Sequence, residues 1–152
     1  MSRLERKIAI VTGAGQGIGR AIATTLSQHG ATVVAVDLNL ASVQETLNGF
    51  VTAGMALACD VGNSTEVASV VTEVTERYGH IDVLVNNAGI GMAPNDGSDI
   101  FQQRMAQRAA QFAAGETPTV YADHTIAMQD DGWLAVMNVN INGTFYFCRE
   151  VL

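Results

Sequence analysis

Short apolar runs alternate with amphipathic segments along the first 85 residues. Each apolar run is rich in β-branched residues, as is typical of strands buried on both faces of a sheet. The predicted strands are 8–11, 32–36, 55–59 and 81–85. The segments between them carry apolar residues at helical spacing. The predicted helices are 18–29, 40–50 and 64–78. We place an N-cap at Ser64 and helix ends at Gly30 and Gly79.

This alternation predicts the fold class, an α/β protein of the Rossmann type with a doubly wound parallel sheet and flanking helices. We expect about four strands in the order 3-2-1-4, within one domain over residues 1–152. The fourth strand would then be an apolar edge, and apolar edges favour pairing with another chain. We therefore expect self-association.

The regular alternation stops after residue 88. The predicted pieces are a loop over 88–98, a helix over 99–114, a second loop over 115–124 and a long helix over 126–152. Gly132 and Gly143 interrupt the last of these. No repeat, low-complexity tract or linker divides the chain.

Composition narrows the possible partners. The chain has 152 residues, of which 48% are hydrophobic, and a net charge of −7, so we expect a globular protein that does not bind nucleic acid. No apolar run is long enough to span a bilayer, and the polar start does not resemble a signal peptide. The two cysteines suggest no disulfide framework, which favours the cytoplasm. No histidine has metal-ligand spacing with either cysteine, so we expect no metal site.

A glycine-rich turn joins the first strand to the first helix. The pattern G-x-G-x-x-G fails because position 18 is Ile18, but G-x-x-x-G-x-G fits at Gly13, Gly17 and Gly19. Gly13 would permit the tight turn, Gly17 would let the backbone approach a pyrophosphate, and Gly19 would let the helix pack closely on the strand. The start of the helix would then bind the pyrophosphate.

Asp37 ends the second strand, 18 residues after Gly19. A carboxylate there accepts hydrogen bonds from the ribose hydroxyls of adenosine and repels a 2′-phosphate. Gln16, within the turn, is neutral, and no neighbouring Arg or Lys in the sequence offsets the charge of Asp37. These residues favour NAD over NADP.

The turn TGAGQGIG at 12–19 resembles that of the short-chain dehydrogenases/reductases in their NAD-preferring form. Asp60-Val61, Asn86-Asn87-Ala88-Gly89 and Val139-Asn140-Ile141-Asn142-Gly143 resemble three further motifs of that family, in the same order. The resemblance implies that Asp60 contacts adenine, that Asn86–Gly89 steadies the sheet and lines the cofactor ribose, and that Asn140 is the catalytic-tetrad Asn, which holds a water. The predicted cofactor-binding residues are Gly13, Gln16, Gly17, Ile18, Gly19, Asp37, Asp60, Val61, Asn87, Ala88 and Gly89.

The family implies hydride transfer between nicotinamide and an alcohol or carbonyl carbon. Its members use a Tyr for the proton, with a Lys four residues later that lowers the pKa of the tyrosine. Here Lys7 is the single lysine, and Asp82, Thr125 and Glu150 stand four residues after the three tyrosines. We therefore expect the N-terminal part of such an enzyme, without Ser, Tyr and Lys.

A surplus region separates the family motifs. About 43 residues lie between Gly89 and Trp133, more than the family usually has, and the extra length falls at 99–124. Three interpretations stay open for this helical insert: a lid over substrate, an oligomer contact through Phe101, Met105 and Phe112, or a surface decoration. Ser98 has no base beside it in the sequence.

Three functions remain open. The chain is the N-terminal part of an NAD-dependent oxidoreductase acting on a small alcohol or carbonyl compound, a catalytically silent NAD-binding module, or a structural fragment that needs a partner chain. All three interpretations rest on the motifs above. They differ only in whether the catalytic Ser, Tyr and Lys that this sequence lacks are supplied elsewhere.

Overall fold

A computed structural model describes residues 2–152. The strands are β1 (Ile8–Thr12), β2 (Thr32–Asp37), β3 (Gly54–Ala58) and β4 (Val83–Val85). The helices are α1 (Gly17–Gln28), α2 (Leu40–Leu47), α3 (Ser64–Tyr78), α4 (Ser98–Ala113), α5 (Asp130–Met137) and α6 (Gly143–Val151), with a π-helical turn at Asn138–Asn142.

The part of the chain that the structure describes contains one parallel sheet of four strands in the order β3-β2-β1-β4. Ile8 pairs with Thr32, and Ala9 pairs with Val83 on the other side of β1. The predicted fold class and strand order are thus confirmed.

Successive side chains of the central strands are buried on opposite faces of the sheet. Ile10 and Val34 pack on one face against α3 and α6, where Val67 and Phe147 are fully buried. The other face is built from smaller residues, because α1 and α2 approach it closely. Its buried members are Ala9, Val11, Ala14, Ala23, Ala31, Val33, Ala35 and Val43. Helices on both faces follow from strands that are apolar at every position.

Several predicted boundaries differ from the structure. The helix expected over 40–50 ends at Leu47, and the helix expected over 126–152 begins at Asp130 and is broken by the π-helical turn rather than at Gly132. Ser64 is the first helical residue of α3, and Asn63 is its N-cap, since its side chain accepts the N–H of Thr65. Asn is as strong an N-cap as Ser, so the sequence offered two adjacent candidates.

Two compact units divide the chain. One comprises the residues up to 89 together with 138–152, and the other comprises 90–137. The first contains the sheet and the motifs; the second contains α4, α5 and the predicted insert at 99–124.

Candidate functional site

The motif residues of the first unit gather at one edge of the sheet. In a parallel sheet the strands end at the same edge, and ligands of such sheets bind there. Thr12 pairs with Val36 and Val11 pairs with Val85, so the glycine turn, Asp37 and the segment after β4 all start at this edge.

Two glycines of the turn sit where no side chain fits. Gly13 has φ +64°, and a Cβ on it would lie 2.8 Å from the Cα of Ala88. A Cβ on Gly19 would overlap the Gly13 carbonyl. These contacts hold the start of α1 close to β1 and to the end of β4.

Gly17 differs from its neighbours because its surroundings are open. Its φ is +53°, and a Cβ there would meet nothing within 4 Å. Gln16 and Ile18 beside it are exposed. The Gln16 side chain makes no capping hydrogen bond, and the first turn of α1 carries no acidic residue. Since the first N–H groups of a helix have no intrahelical acceptor, this helix start is suited to an anion.

Asp37 is fixed by the backbone around it. Its Oδ2 accepts the N–H of Gly15 at 3.0 Å, and its Oδ1 accepts the N–H of Asn39 at 3.1 Å. A Cβ on Gly15 would lie 2.9 Å from that Oδ2 and 2.9 Å from the Cβ of Ser42, so only glycine fits. The glycine pattern used in the sequence analysis does not include Gly15, although the absence of a side chain at this position is what allows the Asp37 carboxylate to approach the turn.

A second network joins the end of β4 to the end of β1. The Thr12 hydroxyl accepts the N–H groups of Asn87 and Ala88, each at 3.0 Å, and donates to the Val85 carbonyl at 3.4 Å. The Asn87 side-chain amide donates to the carbonyls of Thr12 at 3.0 Å and Gly13 at 3.3 Å. Thr12 is 2% exposed, so these bonds are shielded from water. Sequence reasoning missed Thr12, the first residue of the TGAGQGIG turn.

Asp60 and Val61 follow β3 and differ in exposure. Asp60 is exposed, and its Oδ1 accepts the Gly62 N–H at 2.9 Å, while its own N–H donates to Glu66 Oε2. Val61 is 6% exposed, and a Cβ on Gly143 would lie 2.9 Å from its Cγ2. The Val61 side chain therefore packs against α6. Only the backbone of Val61 remains to contact a ligand.

Asn140 lies in the π-helical turn, next to Gly89. A Cβ on Gly89 would be 3.3 Å from Asn140 Oδ1, so glycine leaves room for this side-chain amide. The Asn142 side chain donates to Asn138 Oδ1 at 2.7 Å within the same turn. Single π-helical turns occur frequently at functional sites, because they redirect side chains. The sequence contained no signal for this turn apart from its run of asparagines.

A narrow cleft opens between the end of β4 and the start of α6. Thr12, Asn86 and Ala88 line one side, while Val139, Gly143 and Thr144 line the other. The cleft is too narrow to admit a water molecule, so it marks where these segments meet rather than a ligand cavity.

Cys59 adds no chemistry to this edge. Its side chain is buried, and burial, with smaller contributions from Glu66 and Asp60, raises the pKa of its thiol to about 12. A thiol that stays protonated at neutral pH is a poor nucleophile and a poor metal ligand. Across residues 2–152 no three His, Cys, Asp or Glu side chains come close enough to hold a metal ion. No helix in that range is long and apolar enough to cross a bilayer.

The second unit contains a serine next to a histidine that is distant in sequence. Ser98 Oγ lies 3.0 Å from His124 Nε2, and the His124 ring packs edge-on against Phe101 at 5.5 Å between centroids. The buried Asp96 carboxylate binds Ser98 and the Ala93 N–H, which lowers the pKa of Asp96, the hydroxyl of Ser98 contributing most.

This Ser98–His124 pair is not arranged as a nucleophile and its base. A catalytic serine needs a histidine that a carboxylate orients from the far side of the ring, whereas Asp96 binds the serine itself. The expectation that Ser98 has no base beside it holds for the sequence only, since the fold brings His124 to it.

In the second unit, the segment that follows α4 runs back along this helix. Gln111 exchanges two hydrogen bonds with Thr119, at 3.0 and 3.1 Å, and Arg108 donates to the Val120 carbonyl at 3.2 Å. Met105 and Phe112 are exposed, and α4 has no buried residue. The apolar stripe predicted for this helix is therefore largely uncovered.

The sheet and its glycine turn define an α/β domain of the Rossmann type. A sequence model described as short chain dehydrogenase matches residues 7–152. The chain belongs to this family, whose members use nicotinamide cofactors.

Individual relatives agree with that assignment. A 3beta-hydroxysteroid dehydrogenase of Mediterraneibacter gnavus is 36% identical over 156 aligned residues, which cover 99% of this chain and 45% of the relative. A short-chain dehydrogenase/reductase structure from Burkholderia xenovorans superposes with a TM-score of 0.75 at 30% identity, covering 99% of this chain and 51% of that one.

A 3-ketoacyl-(acyl-carrier-protein) reductase from Brucella melitensis, solved with NADH, gives a TM-score of 0.72 at 26% identity. The alignment covers 98% of this chain and 50% of that one. The chain thus spans about half the length of the relatives it matches.

Proposed function

We propose that this chain is the cofactor-binding part of an NAD-dependent oxidoreductase that moves a hydride between the nicotinamide ring and the carbon of a small alcohol or carbonyl compound. Residues 1–152 would form a single, incomplete NAD-binding domain, with 99–124 as an insert. The observation that carries the proposal is the fixed carboxylate of Asp37 beside the open start of α1, since the two suit the ribose and the pyrophosphate of one dinucleotide.

The preference for NAD rests on Asp37. A 2′-phosphate placed at this carboxylate would be repelled, and Asp37 is held in place by Gly15 and Asn39, so it cannot easily turn away. The structure adds one cation that the sequence argument left out, since Arg20 bonds to the Gly15 carbonyl. Its Nε and Nη2 donate to Thr46 and to backbone carbonyls, and Glu45 lies 3.4 Å away, so these donors are directed to the protein rather than to a 2′-phosphate.

The remaining site residues are assigned from their positions. Gly13, Gly17, Gly19, Gln16 and Ile18 would surround the pyrophosphate. Asp60 and Val61 would lie at the adenine, while Asn87, Ala88 and Gly89 would line the ribose near the nicotinamide. Bound NAD supplies the hydride acceptor. Asn140 would hold a water.

Binding measurements test the cofactor assignment. Calorimetric titration of the chain should show weak binding of NAD, nearly equal binding of ADP-ribose and weaker binding of NADP. Asp37→Ala should remove most of the affinity for ADP-ribose, whereas Asp99→Ala, the same charge change at an exposed position of α4, should leave it unchanged. Tight binding of NAD with none of ADP-ribose would contradict the assignment of Asp37 and of the glycine turn.

Activity measurements test whether the chain binds the cofactor without catalysing the reaction by itself. A tuned general acid–base contributes about 10²–10⁴-fold to rate, and we propose that Tyr and Lys for this step lie outside the chain. The 152 residues alone should show no measurable dehydrogenase activity. Steady reduction of NAD with a simple secondary alcohol, abolished by Asn140→Ala, would contradict this proposal.

The proposed partners follow from charge and from the sheet edge. The net charge of −7 disfavours nucleic acid, and we propose a cytoplasmic protein without a membrane partner. β4 pairs with β1 on one side, and no other strand in residues 2–152 pairs with it, so we propose that the chain self-associates through this edge. Sedimentation velocity should show a concentration-dependent increase in mass, whereas a monomer at all concentrations would refute it.

A further inference from the structure

Arg20 is a partly exposed connection between the glycine turn and α2. It lies one turn into α1, and its Nε donates to Thr46 Oγ1 at 3.0 Å. Its Nη2 donates to the carbonyls of Gly15 and Ser42. Thr46, which is 2% exposed, in turn donates its hydroxyl to the Ala14 carbonyl at 2.9 Å. The carbonyls of two consecutive turn residues are therefore both bound by side chains, that of Ala14 by Thr46 of α2 and that of Gly15 by Arg20 of α1.

These two carbonyls determine where the next N–H groups point. In a trans peptide the C=O and the following N–H point in opposite directions. With the Ala14 carbonyl on Thr46, the Gly15 N–H points the other way, to Asp37 Oδ2 at 3.0 Å. With the Gly15 carbonyl on Arg20, the N–H of Gln16 points away from Arg20, at the open start of α1.

We propose that Arg20, with Thr46, is a positioning residue for the adenosine end of the cofactor. The inference rests on the proposed function and deepens it. Thr46 holds the Ala14–Gly15 peptide so that the Gly15 N–H binds Asp37, and Arg20 donates to the Thr46 hydroxyl that does this. Arg20 also holds the Gly15–Gln16 peptide by its carbonyl, so that the Gln16 N–H faces the pyrophosphate. Arg20 touches neither group of the ligand and acts through the backbone.

The guanidinium suits this role better than an ammonium would. Its planar fork donates from two nitrogens at once, to a hydroxyl on α2 and to carbonyls on both sides. A lysine at this position would keep the charge but offer one donor centre. Glu45 Oε2 lies 3.4 Å from Nη2, so an acidic side chain faces the guanidinium from α2.

Amide hydrogen exchange tests the positioning without any ligand. Arg20→Met keeps the stem of the side chain but removes the donors to Thr46 and to the Gly15 carbonyl. The peptides on both sides of Gly15 are then less constrained, so the bond from the Gly15 N–H to the charged Asp37 should weaken and this amide should exchange at least about tenfold faster. The Ala14 amide, bonded to the Val36 carbonyl at 3.0 Å, should keep its protection and serves as the internal control. Arg77→Met, the same change at an exposed position of α3, should alter neither amide.

A double-mutant cycle tests the link to the ligand. Arg20→Met and Thr46→Val should each weaken ADP-ribose binding about tenfold. Asp37→Ala should cost much less in the Arg20→Met background than in the unsubstituted chain, because the carboxylate is already displaced. Arg20→Lys should recover part of the affinity. Equal costs of Asp37→Ala in both backgrounds would mean that Arg20 affects stability only.

The outcomes separate this inference from the proposed function. If the unsubstituted chain binds ADP-ribose while Arg20→Met matches Arg77→Met in affinity and in Gly15 exchange, the inference is wrong and the proposed function stands. If the unsubstituted chain binds no ADP-ribose, both are wrong. Acceleration at Gly15 and non-additivity with Asp37→Ala together would support the inference.

Discussion

The Thr12 hydroxyl accepts the backbone N–H of Asn87, and the Asn87 side chain donates back to the Thr12 carbonyl, each at 3.0 Å. This reciprocal pair joins the ends of two neighbouring strands where the glycine turn begins. The Thr12 side chain is 2% exposed, so water has little access to its hydroxyl.

Thr12→Val should therefore be costly although the two side chains have the same shape. The change leaves the N–H groups of Asn87 and Ala88 without their acceptor, and each buried unsatisfied group costs about 1–3 kcal/mol. We expect the free energy of unfolding to fall by about 2–4 kcal/mol in urea titrations. Thr72→Val, on the exposed face of α3, should change it by less than about 0.5 kcal/mol. Equal effects of the two changes would contradict the structural role of the Thr12 hydroxyl.

Gly19→Ala and Gly17→Ala should fail in different ways. A Cβ at residue 19 overlaps the Gly13 carbonyl, so α1 must move away from β1, and we expect a large loss of stability in thermal unfolding. A Cβ at residue 17 meets no atom within 4 Å and costs only the strain of a positive φ, about 1 kcal/mol. The Gly17→Ala chain should fold, but it should bind ADP-ribose more weakly than the unsubstituted chain. If the Gly19→Ala chain unfolds at the same temperature as the unsubstituted chain, residue 19 of α1 does not lie against the Gly13 carbonyl.

Cys59 should be inert in the folded chain. Its pKa of about 12 leaves almost no thiolate at pH 8, and its side chain is 2% exposed. Iodoacetamide should label it only under denaturing conditions, as peptide mass spectrometry can check. Labelling of Cys59 at the same rate with and without urea would mean that the face of the sheet covered by α3 is open.

Asp82 should stabilise the fold in a pH-dependent way. The Lys7 side chain, 2.7 Å away, and the Ile8 N–H both donate to it, and His80 lies 3.1 Å away, so the pKa of Asp82 is lowered. A lowered folded-state pKa gives stability that is present above the ordinary aspartate value of 3.8 and is lost as the pH falls through the lowered value.

The difference in melting temperature between the unsubstituted chain and Asp82→Asn should accordingly be largest near neutral pH and shrink below about pH 4. Glu76→Gln, an equal charge change on the exposed side of α3, provides the control. A difference that stays constant down to pH 2.5, or that grows on acidification, would contradict the role of the Lys7–Asp82 pair.

The sequence was sufficient for features that depend on periodicity. Strands apolar at every position and helices with one apolar face require a two-sided parallel sheet, so the order of the four strands followed from the alternation and the family resemblance. The glycine pattern likewise located the turn, because Gly13 and Gly19 are required by close contacts that no other residue tolerates.

Features that depend on distant side chains were not predictable in this way. Gly15 is required by Asp37, 22 residues away, and Thr12 by Asn87, 75 residues away. Neither requirement leaves a local period in the sequence. The asparagines around Asn140 do not by themselves specify a π-helical turn, and His124 reaches Ser98 only through the fold of the second unit.

The contacts of Thr46 and Arg20 with the turn bear on protein engineering. A dinucleotide site is often regarded as a short loop that can be transplanted by copying its glycines. Here the carbonyls of Ala14 and Gly15 are held by groups from α1 and α2, so residues 12–19 grafted alone would leave both carbonyls free to rotate. A graft of this site must therefore carry α1 and α2 together with the turn, and must also supply the partners that Asn87 and Ala88 provide for Thr12.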